Sequence, residues 1–211
     1  MTQSLQKLFT FDEFLEFLAT QPANLRYELH DGEIVKMPQP LGTHEQIIMF
    51  LARMLLLKIV ELKLPYDISS KNVLVKPEHK QSGYYPDILI LNLPNLKNEH
   101  LWEKESTVSN PDSIPLVIEV TSTNWRDDYH KKFADYEEMG IQEYWIIDYA
   151  ALGSKELIGD PKQPTITIYS LSDEGEYRGK KFRGNDSLTS PTFPHLNLTA
   201  EQIFSARYGY D

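Results

Sequence analysis

Two short apolar runs, each holding one acid, decide how this chain is read: Asp87-Ile88-Leu89-Ile90-Leu91, entered through Tyr84-Tyr85-Pro86, and Pro115-Leu116-Val117-Ile118-Glu119-Val120. Runs this short and this apolar are typical of strands buried on both faces. A charge inside such a strand costs several kcal/mol unless it is paired or holds a metal. Each acid alone has a plain alternative: Asp87 merely begins a strand, and Glu119 merely ends one. Two such acids, on strands that can be neighbours, point to a divalent-cation site, and all-oxygen ligands favour Mg²⁺ or Mn²⁺.

The elements around these runs can be read outward. Arg126 to Met139 has helix spacing, with Phe133, Tyr136 and Met139 on the inner side, and Gly140 fits the left-handed position that ends a helix. Glu143-Tyr144-Trp145-Ile146-Ile147-Asp148 is the next strand. Strand, helix and strand in that order predict a right-handed crossover between parallel neighbours. Asn92 to Asp112 is polar, carries Pro94 and Pro111, and reads as a surface excursion. Upstream, Asn72 to Lys76 alternates as a strand. Thr43-x-x-Gln46 opens a helix with the stripe Ile47, Ile48, Leu51, Met54 and Leu55, running to about Leu62. Arg26 to His30 and Glu33 to Met37 flank Asp31-Gly32, a hairpin signal because both turn positions need positive φ. Thr10-Phe11-Asp12-Glu13 is a capping box for a helix ending near Gln21-Pro22. Downstream, Thr165 to Leu171 and Glu176 to Phe182 form a hairpin, and Thr199 to Ala206 a last helix.

Composition narrows the chemistry. The chain has 211 residues, with 21 Lys+Arg against 31 Asp+Glu and a net charge of −10. This excludes a protein that coats nucleic acid by bulk charge, although a local patch can oppose the global sign. There are no cysteines, so disulfides, zinc fingers, iron–sulfur clusters and thiol nucleophiles are excluded. The start, MTQSLQKLFTFDEF, has no basic segment followed by an apolar run, and no stretch approaches the ~18 apolar residues of a membrane span. The expectation is a cytoplasmic location and no membrane partner.

After Glu119, Asp128, Lys132 and Tyr136 recur at i, i+4 and i+8, on roughly one helix face. Asp128 and Lys132 alone are equally well read as a surface ion pair. Taken together, Pro86-Asp87, Ile118-Glu119-Val120, Asp128-x-x-x-Lys132-x-x-x-Tyr136 and Gly140-Ile141-x-Glu143-Tyr144-Trp145-Ile146-Ile147-Asp148 resemble the Uma2 family. That family is a set of proteins assigned as endonucleases, common in cyanobacteria and placed in the PD-(D/E)XK nuclease superfamily. Tyr27-Glu28-Leu29-x-Asp31-Gly32-Glu33 resembles the family's first hairpin, His44 stands where the family has a histidine opening a helix, and Pro191-Thr192-Phe193-Pro194-x-Leu196-x-Leu198 fits its tail. The resemblance spans about residues 10–206. It implies an α/β (α+β) restriction endonuclease-like core: a central mixed sheet flanked by helices, with an added N-terminal helix and hairpin and a C-terminal hairpin, in one nuclease domain over residues 1–211.

The superfamily pattern has an acid at the start of one strand and an acid-x-lysine on the next. Here the second half reads Glu119-Val120-Thr121, so the lysine is missing from its usual place. The resemblance offers Lys132 instead, from the following helix. The implied activity is hydrolysis of phosphodiester bonds in DNA, with Mg²⁺ or Mn²⁺ held by Asp87, Glu119 and the Val120 carbonyl, and Lys132 beside the attacked phosphate. Glu28 and His44 enter as flanking catalytic residues by resemblance alone. By residue pattern, Glu28 fits a solvated strand face and His44 an ordinary polar position in a first helical turn. Tyr136 reads as packing with its hydroxyl towards the site, Tyr144 and Trp145 as core, and Asp148 as a turn cap. The rival is a non-catalytic binding or regulatory module on a nuclease scaffold, which the displaced lysine and the acidic surface favour. A third reading is a metal phosphoesterase acting on a small nucleotide.

For nucleic-acid contact, Arg53, Lys58, Lys63, Lys71, Lys76 and Lys80 outnumber Glu61, Asp67 and Glu78 in their stretch. Arg178, Lys180, Lys181 and Arg183 form a second basic run, better read as a solvated face. No helix-turn-helix or zinc finger is visible. Nucleases that cut both strands often work as pairs, which leaves a homodimer open.

Overall fold

The computed structural model describes residues 7–22, 24–69 and 72–206. Helix α1 (Phe11–Thr20) starts at the expected capping box: Thr10 Oγ1 accepts from the Glu13 amide, and the Glu13 carboxylate accepts from the Thr10 amide. It presses Phe11 and Phe14 against Leu29 and Leu74. Strands β1 (Tyr27–His30) and β2 (Glu33–Lys36) form the hairpin, closed by Asp31 and Gly32 at φ 49° and 86°. A Cβ at Gly32 would lie 3.0 Å from that of Leu8, so space as well as conformation demands glycine there.

Helix α2 (Gly42–Leu62) is capped at Leu41, two residues before its Thr43 signal, with no side-chain cap bond. Ile47, Ile48, Leu51, Leu55 and Ile59 form its buried stripe. Strand β3 (Tyr66–Ile68), which the sequence pattern did not mark, follows it as an edge strand. The alternating stretch Asn72–Lys76 supplies only β4 (Leu74–Val75), outside the main sheet. The segment after it folds back, bridging Val75 to Tyr84 and Leu29 to Gly83, and so lies over the hairpin. A Cβ at Gly83 would come within 2.9 Å of the Phe11 ring.

Strand β5 (Ile88–Asn92) is entered from Asp87. The polar excursion expected from Asn92 to Asp112 is partly packed rather than wholly superficial. It carries a 3₁₀ turn, the short helix α3 (Trp102–Glu105) and strand β6 (Thr107–Val108), with Leu96, Thr107 and Val108 buried and β6 parallel to β4. Strand β7 (Leu116–Val120) pairs antiparallel to β5 and parallel to β8 (Glu143–Asp148), so β7 and β8 are joined as parallel neighbours through helix α4 (Phe133–Met139). The expected regular helix from Arg126 does not form throughout. Residues Asp127–Lys132 make a π-helical turn before α4 begins. A short helix α5 (Lys155–Ile158), the hairpin β9 (Thr165–Leu171) and β10 (Tyr177–Phe182), and α6 (Ala200–Ser205) complete the chain.

The central sheet runs β10-β9-β8-β7-β5-β3 and is mixed, with β7 and β8 its parallel pair. Alternation sorts its two faces. Ile88, Ile90, Leu116, Ile118 and Val120 pack with α2, α6 and the tail residues Phe193, Leu196 and Leu198. Leu89, Leu91, Val117, Tyr144 and Ile146 pack with Tyr129 and Tyr136 on the other face. Glu119 lies between Ile118 and Val120 and therefore faces the π turn. The basic residues of β10 lie on the outer edge strand, where Arg178, Lys180 and Lys181 are exposed and discourage edge-to-edge pairing. No helix among the described residues is long and apolar enough to cross a membrane.

Candidate active site

The centre of the site is an ammonium among carboxylates. Lys132 closes the π turn and is 2% exposed. Its Nζ lies 3.0 Å from Glu119 Oε1, 3.3 Å from Glu28 Oε1 and 3.6 Å from Asp128 Oδ1. The surface-pair reading of Asp128 and Lys132 is therefore corrected: both are buried under β7 and the hairpin. The solvated-strand reading of Glu28 is corrected too. The segment around Gly83 covers it, the Tyr85 amide donates to Oε1 at 3.0 Å, and Oε2 lies 3.0 Å from His30 Nε2. Tyr136 donates its hydroxyl to Glu119 Oε1, and Tyr144 donates to the Asp128 carbonyl at 2.9 Å. π turns recur at functional sites because the extra residue redirects side chains without ending the helix.

Electrostatics follow from that burial. Desolvation pushes the Glu119 carboxyl up to about 7, against the pull of Lys132. Asp128 is raised for the same first reason, again against the pull of Lys132. Burial also opposes charge on Lys132, but Glu119, Glu28 and Asp128 outweigh it and hold the ammonium protonated. Glu28 is desolvated as well, yet Lys132 and His30 bring its carboxyl below the ordinary value.

A second knot lies at the mouth of the sheet. Asp87, just before β5, accepts from the Val120 amide through Oδ2 at 2.9 Å. His44, near the start of α2, donates through Nε2 to the Val120 carbonyl at 2.8 Å, with Asp87 Oδ2 3.3 Å away. Burial disfavours the His44 cation, but the hydrogen bond and charge of Asp87 raise its pKa overall. His44 is thus a clamp between α2 and the end of β7.

All the residues given catalytic or metal roles in the sequence meet in these two knots: Glu28, Glu119 and Lys132 in the first, Asp87, Val120 and His44 in the second. Three others belong with them and were not placed there. Asp128 completes the shell of Lys132. The Tyr84 ring centroid lies 5.8 Å from its ammonium. His30 backs Glu28, and a period-two reading of Glu28-x-His30 marks it, since both side chains leave one strand on one face. Tyr84 has no local signal, because a fold-back places it.

Among the described residues, no three of His, Asp and Glu converge as a ready metal cage. A hydrated hard cation asks for less, one or two carboxylates with water filling its remaining positions. Asp87 Oδ1 and Glu119 Oε2 accept no hydrogen bond among the described residues, whereas their partner oxygens do. The donor chemistry therefore fits such an ion. Both acids border a cleft of about 350 Å³, with Val120, His44, Asp128 and Lys132 also lining it.

The model of the Uma2 family, described as "Putative restriction endonuclease", matches residues 11–201. The chain belongs to the Uma2 family. A crystal structure of "a putative nuclease belonging to DUF820" from Anabaena variabilis ATCC 29413 superposes with a TM-score of 0.70 at 18% identity, covering 94% of this chain and 99% of that one. At that identity the likeness is one of fold alone. No curated protein sequence matches the chain. Uma2 membership supports a nuclease, a hydrolase whose substrate is nucleic acid.

The basic stretches are partly engaged within the molecule. Lys80 Nζ lies 2.6 Å from both Asp135 and Glu138, which raise its pKa to about 12 despite desolvation. Lys58 pairs with Glu61. Lys71 lies outside the described residues. Arg183 is held by the Ile158 carbonyl and Thr165.

Proposed function

We propose that this Uma2 protein is a metal-dependent endonuclease that hydrolyses phosphodiester bonds in DNA. The observation that carries the reading is the Lys132 ammonium 3.0 Å from Glu119, arriving from the helix after β7 instead of from the strand itself. Position 121, where the superfamily pattern has its lysine, is a threonine bonded to Asp148. Lysine and acid share one space although the sequence separates them.

Asp87 and Glu119, with the Val120 carbonyl, are the groups that would hold Mg²⁺ or Mn²⁺. Such an ion supplies Lewis acidity towards a phosphoryl oxygen and acidifies nearby water. The chain's own residues do the rest. Lys132 presents N–H donors where negative charge grows on the phosphoryl group. Glu28 and Asp128 hold that ammonium charged and fixed. His44 and the Val120 amide fix Asp87, so its Oδ2 is oriented and Oδ1 is turned to ligand duty.

The test is incubation of plasmid and single-stranded DNA with Mg²⁺ or Mn²⁺. Cleavage is expected, and it should vanish in Asp87→Ala and Glu119→Ala proteins. Cleavage that persists in both would place the activity elsewhere. One observation favours the second reading, a binding module without turnover: Lys132 already faces three carboxylates. Calorimetric titration with Mn²⁺ separates the two, since binding without cleavage of any nucleic acid supports the module.

A further inference from the structure

The cleft beside the acids has a wall that phosphodiester chemistry does not require. Met37, Pro38, Pro40, Leu41, Tyr85 and Tyr149 line it together with Glu119 and Lys132. Leu41 is 71% exposed, although it is a large apolar side chain at the mouth of a charged site. A second cavity, of about 460 Å³, shares Met37, Pro38, Gln39, Thr123 and Asn124 with the first, so the two adjoin, and we read them as one channel that ends at Lys36.

The acids of this channel, Asp87, Glu119 and Asp128, are gathered at its inner end, and its cations are few. Apart from Lys132, which is enclosed by carboxylates, its cations are Arg26 in the cleft and Lys36 at the outer end. The Arg26 guanidinium sits 5.8 Å from the centroid of the Tyr85 ring. Gripping duplex DNA needs rows of cations along two phosphate strands. Holding one unpaired strand needs apolar or aromatic surface for the bases and a few cations for one backbone. The channel matches the second requirement.

We propose that the channel binds an unpaired strand of DNA, with a base against the Tyr85–Leu41 wall and its flanking phosphates at the acid site and towards Lys36. The substrate is thereby a single-stranded, gapped or unpaired stretch rather than an intact duplex. This inference rests on the nuclease reading above. It also uses the continuity of the wall with that site.

Binding is measured by fluorescence anisotropy with the Asp87→Asn protein and no added metal, so cleavage does not enter. The probes are one labelled sequence as single strand, as duplex with one unpaired nucleotide, and as blunt duplex. Single strand and unpaired site should bind about tenfold or more tightly than blunt duplex. Tyr85→Ala should remove most of that preference. Leu41→Asn should weaken it while leaving thermal stability equal or higher, because asparagine caps α2 better than leucine. The two variants therefore separate loss of the wall from loss of the fold. Equal binding of blunt duplex and single strand, or a preference unchanged in both variants, overturns the channel and leaves the nuclease proposal standing. Failure of every probe to bind overturns the channel, and cleavage by the wild-type protein with Mg²⁺ or Mn²⁺ tests the nuclease reading separately.

Discussion

Glu119 and Glu143 are both buried glutamates on the parallel pair β7 and β8, yet they are neutralised in opposite ways. Glu143, at the start of β8, accepts among the described residues only from neutral donors: the Trp145 indole at 2.6 Å, the Ser190 hydroxyl at 3.0 Å and the Thr192 amide at 2.9 Å. Ser190 in turn accepts from the Phe193 amide, so this acid fastens the tail that covers the α2 face. Every donor is aimed at Glu143, and neither of its oxygens is left over. Glu119 concentrates Lys132 and Tyr136 on a single oxygen and, among the described residues, leaves the other without a donor. A buried acid whose hydrogen bonds close on themselves is part of the architecture. One that shares a cation with two further acids and borders a cleft is placed to act on something else.

The sharpest way to break this comparison is to neutralise each acid in turn. Glu119→Gln should lower DNA cleavage by about a hundredfold or more, with folding intact. Glu143→Gln should leave cleavage unchanged. Equal loss in both, followed by gel assay at a temperature where both are folded, would show that burial alone, not the site, sets activity.

Removing the shared cation should be the largest stability effect. Lys132→Met leaves Glu28, Glu119 and Asp128 buried without their counter-charge, a change expected to cost about 3–5 kcal/mol in urea unfolding. Glu143→Ala should cost less, about 1–3 kcal/mol, because it strands hydrogen-bond donors and not a charge. A larger loss at Glu143 would mean that the tail, not the acid cluster, is the more strongly coupled region.

The two regions were not equally readable. Both flanking strands, the capping box at Thr10 and the Asp31-Gly32 turn are local signals, and each forms where its pattern lies, whereas the Thr43 signal does not cap α2. Most residues of the site were also named in the sequence, and Glu119 was read in a buried strand, but the burial of Glu28, Asp128 and Lys132 was not read. Glu28 alternates like a surface position, and only the fold-back at Gly83 covers it. The π turn escapes a reading based on i and i+4, because Asp128 and Lys132 remain close on one face when the hydrogen bonds shift by one residue. Glu143 passed as a strand residue because its partners lie some fifty positions away, at Ser190 and Thr192. Edge strand β3 has three residues, too few to show a period. Signals carried by neighbouring residues were visible, whereas those made by chain return were not.

The smallest expected effect concerns which species neutralises Glu119, a proton or Lys132. Burial raises its folded pKa to about 7, from an ordinary 4.5. Between those values the folded state keeps a proton that the unfolded state has lost, so stability should fall as pH rises through that window and level off above it. Asp128 is raised as well and adds a slope of the same sign. The measurement is therefore the difference between wild type and Glu119→Gln, taken as thermal midpoint against pH in chelator. The variant should fall less steeply, since an amide has no proton to lose. Identical slopes would mean that Glu119 is already ionised at low pH and that the ion pair with Lys132 outweighs burial. That result would move Glu119 further from Glu143, turning it from an acid held partly by its proton into one held by charge alone.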